Sequence, residues 1–477
     1  MTTTLTATTG SGTTGTTATA HTAGGRWAAL VLLVSAQFVV MLDTSIVNVA
    51  LPSIQTDLGL RPTATTWVVN AYVLSFGGLL LLAGRTADLF GRRRLFVGGS
   101  VLFAAGTLLA ASASSATQLV GGRVIQGIGA AALSPAAMSL LLLTFGGQAR
   151  ARAMSIWGAA SALGGAAGVM TGGLLVGAFG WSSVFLVTVP VSVAAVALAG
   201  RFLPEGASAG TRRRFDWPGA ATITGAVVAL VHGALGIADQ GWTSPTVIAA
   251  LTGSAALAAL FISIERRTAD PLLPLDLFRS RTLSTGVGLA VLGGAARAST
   301  FVLVALYLQQ ALTMAPQQAG LAMVPTSLTG FAFSLTLLPR IVRVLGPQRS
   351  LVTGLVVLAA GHLWLANAPT ASGYLTAVLP GLLLVAVGVA LSFTPTTMVI
   401  AGAVPDTHTG LASGLAGSAT QVGAALGTAT FTAIGITVSG PLGHTLGASG
   451  FSAAFTAAAA VALATAALGT TIARTRH

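Results

Sequence analysis

The sequence predicts an all-α polytopic membrane protein with fourteen transmembrane helices and both termini in the cytoplasm. Three observations carry the prediction. The 477 residues are 54% hydrophobic and only 7% charged, with a mean hydropathy of +0.86, and so few charges cannot cover a soluble chain of this length. Apolar runs of about 20 residues, enough for a helix to cross a bilayer, recur from end to end. The arginines between those runs fall on one side when the runs are read as alternating spans.

Residues 1–26 are rich in Thr and Gly and predict a disordered cytoplasmic tail. No charged start precedes a short apolar core with a cleavage site, so a signal peptide is not expected. The runs then cover 27–51, 64–83, 95–113, 118–143, 153–177, 183–203 and 217–238. They continue over 246–265, 283–311, 318–339, 350–368, 373–397, 410–437 and 450–472. The first stops at Pro52, and the second stops at a glycine-flanked basic stretch, Gly84 to Arg94.

Alternation from an inside N-terminus puts Arg26, Arg85, Arg92 to Arg94, Arg150, Arg152, Arg201, Arg212 to Arg214, Arg266, Arg267, Arg279 and Arg281 inside. Arg340, Arg343, Arg349, Arg474 and Arg476 join them, 20 of the chain's 23 basic residues. Arg61 lands outside, and Arg123 and Arg297 lie within spans. A miscounted early helix would scatter these charges over both faces. The net charge of +13 therefore belongs to loops facing anionic lipid and not to a nucleic-acid site. The chain has no lysine and no cysteine, which excludes disulfides and thiolate metal sites. Its Ala/Gly/Arg/Thr-rich vocabulary suits a GC-rich bacterial genome.

Two cytoplasmic loops, 201–217 and 265–282, break the series into six, two and six helices. We read 27–203 as an N-terminal six-helix bundle, 204–282 as a linker with two inserted helices, and 283–477 as a C-terminal six-helix bundle. Paired halves around a midplane cavity are the common plan of secondary transporters.

Few residues in the spans can carry chemistry. Asp43 stands nine residues before Pro52, about 13 Å deep at ~1.5 Å per residue. A carboxylate there costs roughly 3 kcal/mol even on the milder insertion scales, so it is either a proton-binding group or half of a structural ion pair. Gln37, Thr44 and Asn48 form a polar stripe a third of a turn away, which either lines a cavity or bonds a neighbouring helix. Arg123, in the fourth run, matches Asp43 in depth. It is either that acid's partner or an arginine reaching the outer interface. Arg297, in the ninth run, has no acid in its own span. It would meet Asp43, bind an anionic group of a substrate, or reach an interface. Gly164, Gly168 and Gly172 recur every four residues and predict a close-packed helix face. His232 reads as a packing residue. No metal-ligand spacing, phosphate loop or hydrolase triad is present, so no metal, cofactor or ATP is expected. An enzyme lacks a second catalytic group near Asp43.

These residues carry a family resemblance. LDTSIVNVALPSIQTDLG, followed by TTWVVNAYVLSFGGLLLLAGRTADLFGRRR, resembles the fourteen-helix drug:proton antiporters of the major facilitator superfamily, almost continuously over residues 41–181. Gly84, Asp88, Gly91, Arg92 and Arg93 match the gating hinge between helices 2 and 3; Arg123, Gln126 and Gly127 match the helix 4 signature. The resemblance implies the major facilitator fold, Asp43 as the proton carrier, and Asp88 as a gate holding a helix N-terminus of the opposite half, near Gly410. The second half matches more loosely, and its hinge repeat, PRIVRVLGPQR (339–349), lacks the acid. The family usually carries Gly-Pro where this chain has Gly168-Val169, which removes a proline kink and leaves the direction of transport open.

The expected function is proton-driven efflux of a small amphipathic organic compound, such as an antibiotic, across the bacterial plasma membrane, by a monomer using no cofactor beyond the proton gradient. The candidate cavity holds Gln37, Thr44, Asn48, Gln126 and Arg297. Together with Asp43 and Arg123 that makes two arginines against one acid, which favours neutral, zwitterionic or anionic substrates over dications. A proton-coupled uptake symporter shares the fold and stays open as an alternative. A non-transporting receptor would want a larger loop than any present.

Overall fold

The computed structural model describes residues 23–60, 62–205, 216–368, 373–440 and 446–474. Residues 1–22, Arg61, Arg212 to Arg214 and Arg476 lie outside the described residues. Among the described residues every regular element is helical, and fourteen helices are long and apolar enough to cross a membrane. They are α1 (Gly25–Asp57), α2 (Ala64–Phe90), α3 (Arg92–Ala111), α4 (Ala116–Thr144), α5 (Ala149–Phe179), α6 (Ser183–Phe202), α7 (Trp217–Ile237), α8 (Pro245–Glu265), α9 (Arg281–Ala311), α10 (Gln318–Thr336), α11 (Leu338–Ala366), α12 (Tyr374–Ala401), α13 (Thr409–Ser439) and α14 (Ala448–Thr471).

Side-chain caps begin several helices. The Ser115 hydroxyl accepts from the Gln118 amide at 3.3 Å ahead of α4, and Asp216 accepts from the Gly219 amide at 2.9 Å ahead of α7. Each satisfies one of the amides that a helix start leaves without an internal partner.

Four boundaries differ from the sequence reading. Residues 23–26, assigned to the disordered tail, already belong to the first helix. That helix does not stop at Pro52 but runs through it to Asp57, because proline removes one backbone donor while the next turns keep theirs. Asp43 is therefore 14 residues from the helix end, about 21 Å at ~1.5 Å per residue, and not 13 Å. The stretch Gly84 to Arg94 is not a loop, since α2 continues to Phe90 and α3 begins at Arg92. The whole turn falls on Gly91, whose φ of 101° suits a residue without Cβ. The run expected over 350–368 is helical from Leu338 and turns at Gly346, with φ 76°. Gly346 thus makes in the second half the corner that Gly91 makes in the first.

Helices α1 to α6 pack around Leu33, Phe96, Phe103, Leu133, Met154 and Ala199. Helices α9 to α14 pack around Leu289, Leu303, Ala319, Leu358, Val385 and Phe455. Small residues set the closest approaches. A Cβ at Gly106 of α3 would meet the backbone of Gln126 on α4, with its Cα 2.8 Å away; this contact brings Thr107 beside Gln126. Gly164, Gly168 and Gly172 lie against α1: added Cβ atoms would stand 2.5 Å from the Phe38 carbonyl, 2.7 Å from the Leu42 carbonyl and 3.1 Å from the Ile46 side chain.

The two sets of helices meet along α2–α13 and along α5–α10. Helix α7 packs on the first of these seams, its Val227 and Val231 beside Leu74 of α2 and Val422 of α13. Farther out, Ala234 and Ile237 touch Ala429 of α13. The corners at Gly91 and Gly346 lie on the arginine-rich face, which the excess of positive charge assigns to the cytoplasm.

Candidate functional site

At mid-depth, Asp43 on α1 and Arg123 on α4 form a closed ion pair. The Arg123 Nη1 donates to Asp43 Oδ2 at 2.7 Å, and Gln126 Nε2 donates to Oδ1 at 2.7 Å. Gln126 lies one turn from Arg123, so its Oε1 also accepts from the same Nη1 at 2.7 Å. Arg123 Nε donates to the Val68 carbonyl at 3.0 Å, and the guanidinium lies 4.2 Å from the Tyr72 ring centroid on α2. Gln126 also donates to Thr107 Oγ1 at 3.0 Å. The side chains of Asp43 and Arg123 are 0% and 1% exposed. Charges so buried persist only when paired and hydrogen-bonded, and both oxygens of Asp43 are engaged. Arg123 therefore reaches no interface.

The stripe of Gln37, Thr44 and Asn48 divides. Gln37 is buried and ties three helices: it donates to Ser161 Oγ of α5 and accepts from Ser134 Oγ of α4, each at 3.1 Å. Thr44 and Asn48 are exposed and bond along their own helix, to the Val40 and Thr44 carbonyls at 2.9 Å. One face of α1 is thus covered at its cytoplasmic end and open toward its outer end.

The cytoplasmic ends of the two halves are shut. Asp88 accepts from the amides of Gly410 and Leu411, at 2.9 and 2.8 Å, at the start of α13. Arg92 donates to the same carboxylate at 2.8 Å through Nη2. A carboxylate among free amides at a helix N-terminus is favoured by hydrogen bonding and by the helix dipole. Gly84 lies against Gly410 and Gly414, where an added Cβ would stand 2.9 Å from the Gly414 Cα. Arg93 donates to the Leu203 carbonyl at 3.4 Å and pairs with Glu205. Deeper, Gly158 of α5 faces Thr394 of α12. Toward the outside, Val169 of α5 fits against Gly320 of α10, where an added Cβ would stand 2.6 Å from its Cγ1.

Arg297 does not meet Asp43 and reaches no interface. It is buried on α9, with Nη1 bonded to Ser392 of α12 at a long 3.4 Å. Nearby, Thr300 Oγ1 and His362 Nε2 are 2.5 Å apart. His232 stacks on Trp67 with ring centroids 5.9 Å apart.

Sequence reasoning missed Thr107, Val68, Ser134, Ser161 and Ser392. One signal was available: Ala-Leu-Ser occurs at 132–134 and again at 390–392, and the two serines bond Gln37 and Arg297 on the first helix of each half.

The Major Facilitator Superfamily profile matches residues 33–428. The chain belongs to the major facilitator superfamily. Among its relatives, the cephamycin export protein CmcT of Amycolatopsis lactamdurans is 35% identical over 420 residues, covering 86% of this chain and 85% of that one. The puromycin resistance protein pur8 of Streptomyces alboniger is 37% identical, covering 85% and 80%. The multidrug resistance protein Stp of Mycobacterium tuberculosis is 34% identical, covering 86% and 75%. Of solved structures, the human organic anion transporter MFSD10 superposes with a TM-score of 0.68 at 17% identity, covering 93% of this chain and 99% of that one. The proton:xylose symporter XylE gives 0.63 at 15%, covering 93% and 95%. These two establish the fold. This superfamily member is a transporter and not an enzyme, a multi-pass protein of the bacterial plasma membrane.

Proposed function

We propose that the protein exports an antibiotic-like amphipathic compound from the bacterial cell in exchange for protons. In this reading 27–203 and 283–477 are the two moving halves, and a single chain acts with no cofactor beyond the gradient. The names of the relatives support export of antibiotics. The observation that carries the coupling mechanism is the closed Asp43–Arg123–Gln126 cluster beside a face of α1 that opens toward the outside.

In the conformation closed to the cytoplasm, Asp43 is held by Arg123. A proton entering past Thr44 and Asn48 neutralises the carboxylate and removes its attraction for the guanidinium. Arg123 keeps the Val68 carbonyl and Gln126 Oε1 as partners, so the hold of α4 on α1 at this depth is loosened at modest cost. The two states then differ in one definite charge contact, as a ligand-driven shift between them requires. Asp88 leaves the α13 amides as the cytoplasmic side opens, the proton departs inward, and substrate is taken up.

Purified protein in proteoliposomes, oriented so that its cytoplasmic face is outside, tests this with rhodamine 6G as cargo. Acidifying the lumen should drive dye uptake with proton efflux, and Asp43→Asn should abolish the gradient dependence. Dye uptake driven equally well through the Asn variant would refute the coupling role. Dye moving with protons in the same direction would favour uptake.

A further inference from the structure

We infer that Arg297 is the docking point for an anionic group on the exported compound. This rests on the export reading and adds the charge of the substrate. Arg297 is 4% exposed, at the middle of α9. One guanidinium nitrogen, Nη2, has no hydrogen-bond partner. The other terminal nitrogen reaches only Ser392 at 3.4 Å, and the Phe393 ring centroid lies 5.8 Å from the guanidinium carbon.

No carboxylate of the chain can complete this site. Of the ten acidic residues, Asp43 is the one deep in a span, and Arg123 and Gln126 hold both its oxygens. The other nine lie in loops, in the short 3-10 turns 275–279 and 406–408, or within the last turn of a helix. A guanidinium left without a counter-charge in a bilayer-embedded fold is strongly disfavoured, so its partner comes from outside the chain.

A small residue seats the Arg297 side chain. The side chain folds back along α9 over Gly293, where an added Cβ would stand 2.6 Å from Nη1. Ser392 precedes by two residues Thr394, which meets Gly158 of the opposite half, an offset of about 3 Å along the axis of α12. Ser392 and Thr394 point to different sides of α12, so Arg297 lies at nearly the level of the closed layer, across α12 from Gly158, and in this proposal opening of that layer admits the cargo to it. Gln37 holds the matching place in the first half, bonded to the matching serine, Ser134. There the polar head is neutral and satisfied; at Arg297 it is charged and incomplete. The chemistry that fits is a carboxylate, sulfonate or phenolate borne on an apolar body.

The test uses proteoliposomes and two dyes of one ring system, anionic sulforhodamine B and cationic rhodamine 6G, with Arg297→Gln and Gly293→Ala. Both variants should lower the ratio of anionic to cationic dye transport by about tenfold or more, through a raised KM for the anion. Arg297→Gln should also melt no lower than wild type, since it removes an uncompensated charge. Equal losses for both dyes, or wild type moving the cation alone, would overturn the inference and leave export standing. Wild type moving neither dye would overturn the export reading and this inference with it.

Discussion

The Asp88 carboxylate of α2 and the Gly410 amide of α13, 322 residues apart, are joined by a 2.9 Å hydrogen bond. The Leu411 amide adds a second at 2.8 Å. This is a direct bond between the two halves on their cytoplasmic side, and its strength depends on the charge of the acid. Asp88→Asn keeps the shape and one acceptor but loses the charge-assisted part, roughly 1.5 kcal/mol. The population open to the cytoplasm should then rise about tenfold. Because the chain has no cysteine, Thr394→Cys provides a single thiol in the closed layer. Its labelling by an impermeant maleimide from the cytoplasmic side should quicken accordingly when Asp88 is neutralised.

Gly84→Ala should act on the same equilibrium by sterics alone. Its Cβ would press on the Gly410 carbonyl and the Gly414 backbone, which cannot rotate away as a side chain would. Overpacking of this kind costs ~1–3 kcal/mol, all of it against the closed form. Gly98→Ala is the control, since nothing stands within 4 Å of a Cβ there. The same thiol assay should separate the two variants, and equal behaviour would mean that the Gly84 contact does not govern closure.

Arg123→Gln should destabilise the folded protein more than the double variant Asp43→Asn/Arg123→Gln. The single change leaves a fully buried carboxylate with only Gln126 to hold it, at ~3–5 kcal/mol. The double change leaves neutral amides that bond one another. Thermal unfolding in detergent would show the double variant recovering part of the lost midpoint. Additive losses would mean that the pair is not coupled in the fold.

Gly168→Ala should loosen α1 from α5. Its Cβ would meet the Ser45 hydroxyl and stand 2.7 Å from the Leu42 carbonyl. Gly165, three residues earlier on an open face, has nothing within 4 Å, and its change to Ala should be neutral or slightly stabilising through helix propensity. Comparing their unfolding midpoints checks the assignment of the packed face.

The spans were legible because hydropathy and arginine placement are properties of the chain itself. The Asp43–Arg123 pairing was half legible: one embedded acid faced two embedded arginines, Arg123 and Arg297, and the chain alone left open which of them meets it. The bridging by Gln126, Thr107 and the Val68 carbonyl was not legible. It depends on how closely α3 approaches α4 at Gly106, a distance that no one-dimensional pattern encodes. Helix ends misled where local signals are weak against packing: Pro52 removes one donor, and Gly84 sits within a continuing helix because Gly91 alone can make the turn. Thr44 and Asn48 share a stripe with Gln37, but a helical wheel cannot tell which part of a face its neighbours cover.

The seating of α7 on the α2–α13 seam makes the two sides of the bundle pair unequal. Of the two flanks between the halves, one is covered by α7, through Ala220 and Ile223 toward the cytoplasm and Val227 and Val231 farther out. The α5–α10 flank, where Val169 meets Gly320, carries no inserted helix among the described residues. The inserted pair thereby gives the transporter a front and a back within the plane of the membrane.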